Sequence, residues 1–290
     1  MHKYKIILYV RLIIFYLNMG GYMNSIRLFF RDFPIDMSGG VKSSQVSNWM
    51  STDTESKYKE NHKNKKITYN EQISYNLNSL GYRCNEFIFD NDDFNLVTVG
   101  CSIPCGIGVR YEDSFPYIIA NELSTKMNKK VNNFNLSLDA TGIDYAYRTI
   151  LSTKALRPNL IILSISYMPR VELLCETYNW WPTTTSVEWT HTISNKLYDS
   201  YLTLYSDEMI MYNISAKIQG AMAYAASINS KIILVTLDWH VNNLLKDLID
   251  IRYISCDNSD KGRDGLHPGP IYHKNTAISI LSDINKIGIV

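Results

Sequence analysis

The stretch 95-NLVTVGCSIPCGIGV-109 places a short apolar run directly before a glycine and a serine. Leu96 to Val99 have the character of a buried strand in a parallel sheet. Gly100 permits a tight turn after this strand, and Gly106 and Gly108 keep the following loop thin. Ser102 is therefore expected at the carboxyl edge of the sheet, which is where ligands bind in folds built from parallel strands.

Strand and helix patterns alternate along the rest of the chain. Apolar runs predict further strands over 131–136, 160–165, 231–237 and 252–255, and helical spacing predicts helices over 112–127, 144–154, 207–229 and 270–286. This alternation predicts an α/β fold in which helices cover both faces of a parallel sheet of about five strands. Residues 172–205 are interpreted as a long aromatic-rich connection.

Composition narrows the classes of function. The chain has 290 residues, is 46% hydrophobic and carries a net charge of +1, so it can bury a full core and is not expected to bind nucleic acid or an acidic membrane surface. Its five scattered cysteines form no disulfide framework and indicate a reducing, cytoplasm-like compartment. Cys101 and Cys105 have no neighbouring histidine or second cysteine pair with zinc spacing, so no metal is expected. The oligomeric state is left open.

Residues 1–75 are interpreted as an irregular N-terminal extension, and residues 76–290 as the main domain. The apolar stretch from Ile6 to Leu17 is shorter than the roughly 20 residues of a membrane helix. It is a weak signal or anchor, a packed peripheral helix, or a stretch ahead of a later start, and we favour the last two. In the polar part that follows, Trp49, Asp53 and Tyr58 either wrap the main domain or belong to a mobile segment.

The glycines around Ser102 fit neither a phosphate loop nor a dinucleotide fingerprint, because their spacing differs from both motifs. A serine nucleophile needs a base, and among six histidines His267 stands out within 262-GRDGLHPGP-270. Asp264 lies three residues earlier, a spacing that lets a carboxylate reach one ring nitrogen. Taken separately, a Gly-Ser turn and a turn with a solvated histidine explain each half equally well.

Together, the two motifs resemble those of a known family. Residues 100-GCSIPCG-106 resemble the first block of the SGNH (GDSL-type) hydrolases, and 264-DGLHP-268 resembles their closing block. The segments 78-NSLGYRCNEF-87 and 110-RYEDSFPYIIANEL-123 resemble parts of phage or environmental members. The resemblance spans about residues 80 to 285 and implies a three-layer α/β/α sandwich with a flavodoxin-like sheet.

The resemblance also implies roles for individual residues. Ser102 would be the nucleophile, His267 the general base and Asp264 its orienting carboxylate, with no metal or other cofactor. Cys101 replaces the aspartate that usually precedes the nucleophile.

An oxyanion hole is implied as well. It would use the Ser102 backbone N–H and a second-block N–H at Ala140, or alternatively at Gly142. The third-block asparagine is absent, and Met168 lies nearest to its place. Arg170 is a substitute cationic donor, or else a surface residue paired with Glu172.

Four further residues are candidates for the substrate pocket. Asp238 and His240 follow a predicted strand and either shape the pocket or serve structural roles. Trp180 and Trp181, with Tyr178 and Trp189 nearby, either line the pocket or anchor their own loop.

The sequence thus predicts a serine hydrolase that cleaves a small-molecule or carbohydrate ester through an acyl-enzyme. The ester would be a carbohydrate O-acetyl or a lipid ester. A catalytically impaired ligand-binding member and an acyltransferase with the same triad are the alternatives.

Overall fold

A computed structural model describes residues 46–64, 69, 71–166, 170–175, 178–183, 206–247, 249–255 and 260–289. In chain order the strands are β1 (Val46–Ser47), β2 (Tyr75–Asn76), β3 (Phe94–Val99), β4 (Val131–Asn135), β5 (Leu160–Ile165), β6 (Val171–Cys175), β7 (Tyr178–Thr183), β8 (Lys231–Thr236) and β9 (Arg252–Tyr253). The α-helices are α1 (Glu55–Lys63), α2 (Ser102–Cys105), α3 (Phe115–Met127), α4 (Ile143–Leu151), α5 (Asp207–Ser227), α6 (Trp239–Leu245) and α7 (Pro270–Lys286).

Five parallel strands form the central sheet in the order β4-β3-β5-β8-β9. All five were predicted from apolar runs, and β5 and α7 have the predicted bounds. The other predicted strands and helices differ from their predicted ranges by a few residues at one or both ends. Because β3 lies inside the sheet with β4 and β5 on either side, the turn after Val99 is enclosed by neighbouring chain.

Two hydrophobic cores lie on opposite faces of this sheet. Side chains alternate along each buried strand, so Leu160 and Ile162 face one core while Ile161 and Leu163 face the other. The first core is completed by α3 and α7, and the second by α4, α5 and α6. This arrangement confirms the predicted three-layer α/β/α class.

Three elements were not predicted. Helix α1 lies in the stretch interpreted as irregular, α6 follows β8 directly, and β6 and β7 form an antiparallel hairpin within the predicted long connection. Thr54 caps α1 with its side chain, which accepts a hydrogen bond from the Lys57 N–H. In the part of the chain described here, no helix combines the length and the hydropathy needed to span a bilayer.

Candidate active site

Ser102 lies where the sequence predicts it, at the carboxyl end of the central strand β3. It is the first residue of the one-turn helix α2 and is 4% exposed. As a first-turn group, its backbone N–H has no partner within the helix, and it donates to no other described residue. The nearest side-chain polar partner of Ser102 Oγ is Cys101 Sγ, at 4.0 Å. Ser102 therefore offers a hydroxyl and an unpaired N–H at the same point.

A buried arginine holds the loop that follows Ser102. The Arg83 guanidinium donates to the carbonyls of Cys105, Gly106 and Val109, and its Cζ lies 4.3 Å from the centroid of the Tyr75 ring. Burial lowers the pKa of Arg83, and neighbouring side chains oppose this shift. Gly106 and Gly108 have φ values of 79° and 83°, which are left-handed conformations that glycine adopts readily. The loop geometry thus depends on both glycines and on Arg83.

Asp264 and His267 form a closely coupled pair. His267 Nδ1 lies 2.6 Å from Asp264 Oδ2, while Asp264 Oδ1 accepts hydrogen bonds of 3.0 Å from the backbone N–H groups of Leu266 and His267. The Asp264 side chain is fully buried and that of His267 is 14% exposed. With its Nδ1–H donated to Asp264, the neutral imidazole keeps Nε2 as a proton acceptor.

The environment keeps Asp264 ionised. Burial raises the pKa of Asp264, but hydrogen bonds from His267 and Thr52 and the attraction to His267 outweigh burial and hold the pKa at about 2. The Thr52 hydroxyl donates to Asp264 Oδ2 across 2.6 Å and lies 3.3 Å from His267 Nδ1. Asp264 therefore acts as a charged acceptor around which donors from two distant parts of the chain converge.

The Ser102 loop and the Asp264 loop are in direct contact. Gly108 O accepts a 2.8 Å hydrogen bond from the Arg263 N–H, and a Cβ at Gly108 would lie 3.1 Å from Asp264 Oδ1. Among the described residues, no hydrogen bond joins Ser102 to His267. Catalytic hydrogen bonds are often long before substrate binds, so the contact between the loops is the informative observation. It places both halves of the predicted triad in one region.

Residues 46–64, which we call the strap, cover this region. Asp53 forms an ion pair with Arg263, with 2.6 Å between Asp53 Oδ2 and Arg263 Nη2 and side chains that are 0% and 5% exposed. The Trp49 ring lies over the Arg263 guanidinium, with its centroid 4.1 Å from Cζ. Asn61 Nδ2 donates to the Asp264 carbonyl at 2.7 Å. Of the two alternatives for Trp49, Asp53 and Tyr58, the structure therefore shows that they wrap the main domain.

Backbone N–H groups of the loop after β4 are the candidate oxyanion donors beside Ser102. Ala140 has a φ of 59°, the left-handed conformation expected at a position where the related block has glycine. The Leu138 N–H and the Thr141 hydroxyl both donate to Gly100 O, which ties this loop to the turn before Ser102. The N–H groups of Ala140 and Gly142 donate to no other described residue.

The third block contacts the same loop. Arg170 Nη1 donates to Thr141 O at 3.3 Å, and Ser166 Oγ donates to that carbonyl at 3.0 Å. A Cβ at Gly142 would lie 2.3 Å from Arg170 O. Ser166, which directly follows β5, was not singled out from the sequence. Met168 and the side chain of Glu172 lie outside the described residues.

The remaining candidates have other surroundings. Asp238 is buried and caps α6 by accepting from the His240 and Val241 N–H groups, whereas His240 is exposed and contacts Trp239 edge-on. The backbones of Trp180 and Trp181 belong to β7, but their side chains and all of Trp189 lie outside the description. No group of three or more potential metal ligands occurs among the residues described.

Sequence reasoning missed Thr52, Arg83 and Arg263 as contributors to the site. Arg263 directly precedes Asp264 and Arg83 lies in a segment noted for its resemblance, so both had a weak signal. Thr52 had none, because a threonine in a polar stretch has no distinguishing pattern.

No protein-family model and no curated protein matches this chain. Solved structures similar to it include the lipase Lip_vut3 from a goat rumen metagenome, with 12% identity, a TM-score of 0.43 and coverage of 65% of this chain and 96% of that chain. The psychrotrophic esterase EstA from Pseudoalteromonas sp. has 8% identity and a TM-score of 0.42, covering 66% and 97%. A two-domain esterase (CEX) active on acetylated mannans has 12% identity and a TM-score of 0.43, covering 67% and 49%.

Proposed function

We propose that this protein is a serine esterase in which Ser102 is the nucleophile, His267 the general base and Asp264 the carboxylate that orients His267. The observation that carries the proposal is the 2.6 Å contact between His267 Nδ1 and Asp264 Oδ2, on a loop bonded to the loop that follows Ser102. A buried, ionised aspartate on one ring nitrogen fixes the tautomer that leaves the other nitrogen basic.

The reaction would proceed in two acyl transfers. Ser102 Oγ attacks the ester carbonyl carbon while His267 Nε2 takes the hydroxyl proton, and the tetrahedral intermediate collapses as His267 returns that proton to the leaving alcohol. A water molecule then loses a proton to His267, attacks the acyl-serine and releases the acid. Serine is regenerated, and no net change in charge or oxidation state occurs in the protein.

The negative oxygen of each intermediate needs donors. The N–H groups of Ser102 and of Ala140 or Gly142 are suited to this role because no described residue accepts from them. The Arg170 guanidinium, which contacts the carbonyl of Thr141 between these two positions, supplies positive charge nearby. Each such donor contributes about 2.7–4 kcal/mol of transition-state stabilisation.

The test is covalent labelling with a fluorophosphonate probe, which reacts with activated serines. We expect the parent protein to be labelled and both Ser102→Ala and His267→Ala to lose labelling while remaining folded by circular dichroism. A folded parent that never labels would reject the proposal, and so would undiminished labelling of Ser102→Ala. Asp238→Asn is the matched control, since Asp238 caps α6.

The substrate class follows from a second measurement on the labelled parent. We propose a carbohydrate O-acetyl ester or a lipid ester as the substrate. Release of acetate from acetylated polysaccharide, compared with hydrolysis of 4-nitrophenyl butyrate and octanoate, separates the two classes. Adding glycerol or a sugar as a competing acceptor, and following the acylated product, distinguishes hydrolysis from acyl transfer.

A further inference from the structure

The strap contributes a hydroxyl to the centre of the Asp264–His267 pair. Thr52 Oγ1 lies 2.6 Å from Asp264 Oδ2, the same oxygen that lies 2.6 Å from His267 Nδ1. Thr52 is half-buried, and its Oγ1 also lies 3.3 Å from His267 Nδ1. A hydroxyl donates only one proton, and here that proton goes to the carboxylate.

Asp264 is fully surrounded by donors when Thr52 is counted. Oδ1 accepts from two backbone N–H groups of its own loop, at 3.0 Å each, and Oδ2 accepts from His267 and Thr52. With both oxygens occupied, the carboxylate has little freedom to rotate about its Cβ–Cγ bond. The imidazole ring bonded to it is then held in a fixed orientation.

The position of Thr52 is itself fixed from both sides. Its neighbour Ser51 has a left-handed φ of 57° and donates its hydroxyl to Asp139, which precedes Ala140 in the candidate oxyanion loop. On the other side, Asp53 is held by Arg263 and by the Tyr75 hydroxyl at 2.6 Å. Three consecutive residues of the strap thus contact the oxyanion loop, the Asp264–His267 pair and the base of the Asp264 loop.

We propose that Thr52 is a positioning residue of the active site, whose hydroxyl fixes the Asp264 carboxylate and through it the orientation of His267. This inference rests on the proposed esterase function for its kinetic consequence, but its structural content concerns Asp264 and His267 alone. The strap is accordingly a functional part of the site, in addition to its role as a cover.

Thr52→Val and Thr52→Ser test the hydroxyl separately from the shape of the side chain. Valine keeps the branched shape and removes the hydroxyl, whereas serine keeps the hydroxyl and removes a methyl group. A hydrogen bond to a charged group is strong enough that we expect fluorophosphonate labelling of Thr52→Val to be about tenfold to a hundredfold slower than that of the parent. Thr52→Ser should recover at least half of the parent rate.

Thr54→Val is the matched control, because Thr54 loses a hydroxyl on the same strap without touching Asp264. Its Oγ1 accepts from the Lys57 N–H, so the control should lower the unfolding temperature slightly and leave labelling unchanged. Thr52→Ala, compared with Thr52→Ser, repeats the test without the valine methyl groups should Thr52→Val fail to fold.

Two outcomes would overturn the inference while leaving the esterase proposal intact. These are labelling of Thr52→Val at the parent rate, and equal losses in Thr52→Val and Thr52→Ser. If the parent itself does not label, the esterase proposal fails and the inference is decided by proton NMR of the His267 Nδ1–H, assigned through its absence in His267→Ala. A resonance that moves in Thr52→Val, but not in Thr52→Ser or Thr54→Val, supports the inference, and one unchanged in Thr52→Val overturns it.

Discussion

Asp53 and Arg263 lie 210 residues apart in the sequence and form a buried ion pair, with hydrogen bonds from both Arg263 Nε and Nη2 to the Asp53 carboxylate. The pair connects the strap to the residue directly before Asp264. The Tyr75 hydroxyl also donates to Asp53 and accepts from the Gly108 N–H at 2.9 Å, so the loop after Ser102 joins the same network. One buried carboxylate thereby links three segments of the site.

Removing one partner of this pair should be costly. Asp53→Ala leaves the Arg263 guanidinium buried without its counter-charge, and we expect a loss of about 3–5 kcal/mol in the free energy of unfolding. Urea unfolding followed by circular dichroism measures this loss. Glu55→Ala, which removes an exposed partner of Lys59 on the same strap, is the control and should have little effect. Equal stabilities of Asp53→Ala and the parent would contradict the importance assigned to the pair.

The fold should lose stability in mild acid through His273. This ring is fully buried and its Nδ1 accepts from the Phe115 N–H at 3.2 Å; burial, with the positive charges of His267 and Arg83, lowers its pKa to about 3. The unfolded chain, with an ordinary histidine pKa near 6.5, binds more protons than the folded chain between about pH 6.5 and pH 3. Stability therefore falls as the pH decreases through this window, by about 2 kcal/mol at pH 5.

His273→Asn isolates this contribution. The asparagine oxygen can still accept from the Phe115 N–H, but the side chain does not titrate. Unfolding free energies measured at pH 7.5 and pH 5 should differ by about 2 kcal/mol less in the variant than in the parent. The same pH dependence in both proteins would show that His273 is not the buried neutral group described here.

Gly142 should not tolerate a side chain. A Cβ there would lie 2.3 Å from the Arg170 carbonyl oxygen and 2.8 Å from the Arg170 Cβ, so backbone has to move. We expect Gly142→Ala to lower the free energy of unfolding by about 1–3 kcal/mol and to slow fluorophosphonate labelling. Labelling and stability equal to those of the parent would mean that the loop and the third block are not in the close contact seen here.

Ala140→Gly is the counterpart in the same loop and should be tolerated. Glycine relieves the left-handed conformation of Ala140 but adds freedom to the unfolded chain, so the net change should stay within about 1 kcal/mol. Labelling at the parent rate is expected, because the backbone N–H is retained. A tenfold loss would indicate that the alanine methyl group contributes to the site.

Arg83 is expected to be needed for the loop after Ser102. Arg83→Met fills a similar volume but leaves the carbonyls of Cys105, Gly106 and Val109 without their donor, at about 1–3 kcal/mol for each unsatisfied buried group. Thermal unfolding measures the loss, and Arg83→Lys should be intermediate because lysine keeps the charge without the planar fork. Equal unfolding temperatures for Arg83→Met and the parent would contradict this role.

The sheet and the motif residues were predictable because their signals are local. A buried strand such as β5 reads as six consecutive mostly apolar residues, LIILSI, and the spacing from Asp264 to His267 brings the two side chains together within a single turn. These patterns depend on near neighbours in sequence, so they survive without knowledge of the rest of the fold.

The strap and the cap of α6 were not predictable for the opposite reason. Helix α1 has the polar sequence ESKYKENHK, and of its residues only Asn61 is buried, so it shows no apolar face. Its attachment relies on polar contacts with residues more than 200 positions away, such as that between Asn61 and Asp264. Asp238 was taken as a pocket candidate because an aspartate after a strand serves equally well as a ligand or as a helix cap.

The long separation between the strap and Arg263 has a consequence for biosynthesis. Ribosomes make the strap early, whereas Arg263, Asp264 and His267 emerge some 200 residues later. At about 5–20 residues per second this is a delay of roughly 10 to 40 seconds. During that interval Asp53 and Thr52 have no partner on the Asp264 loop, and the nascent sheet forms without its cover. Assembly of the site is therefore among the last events in the birth of each molecule.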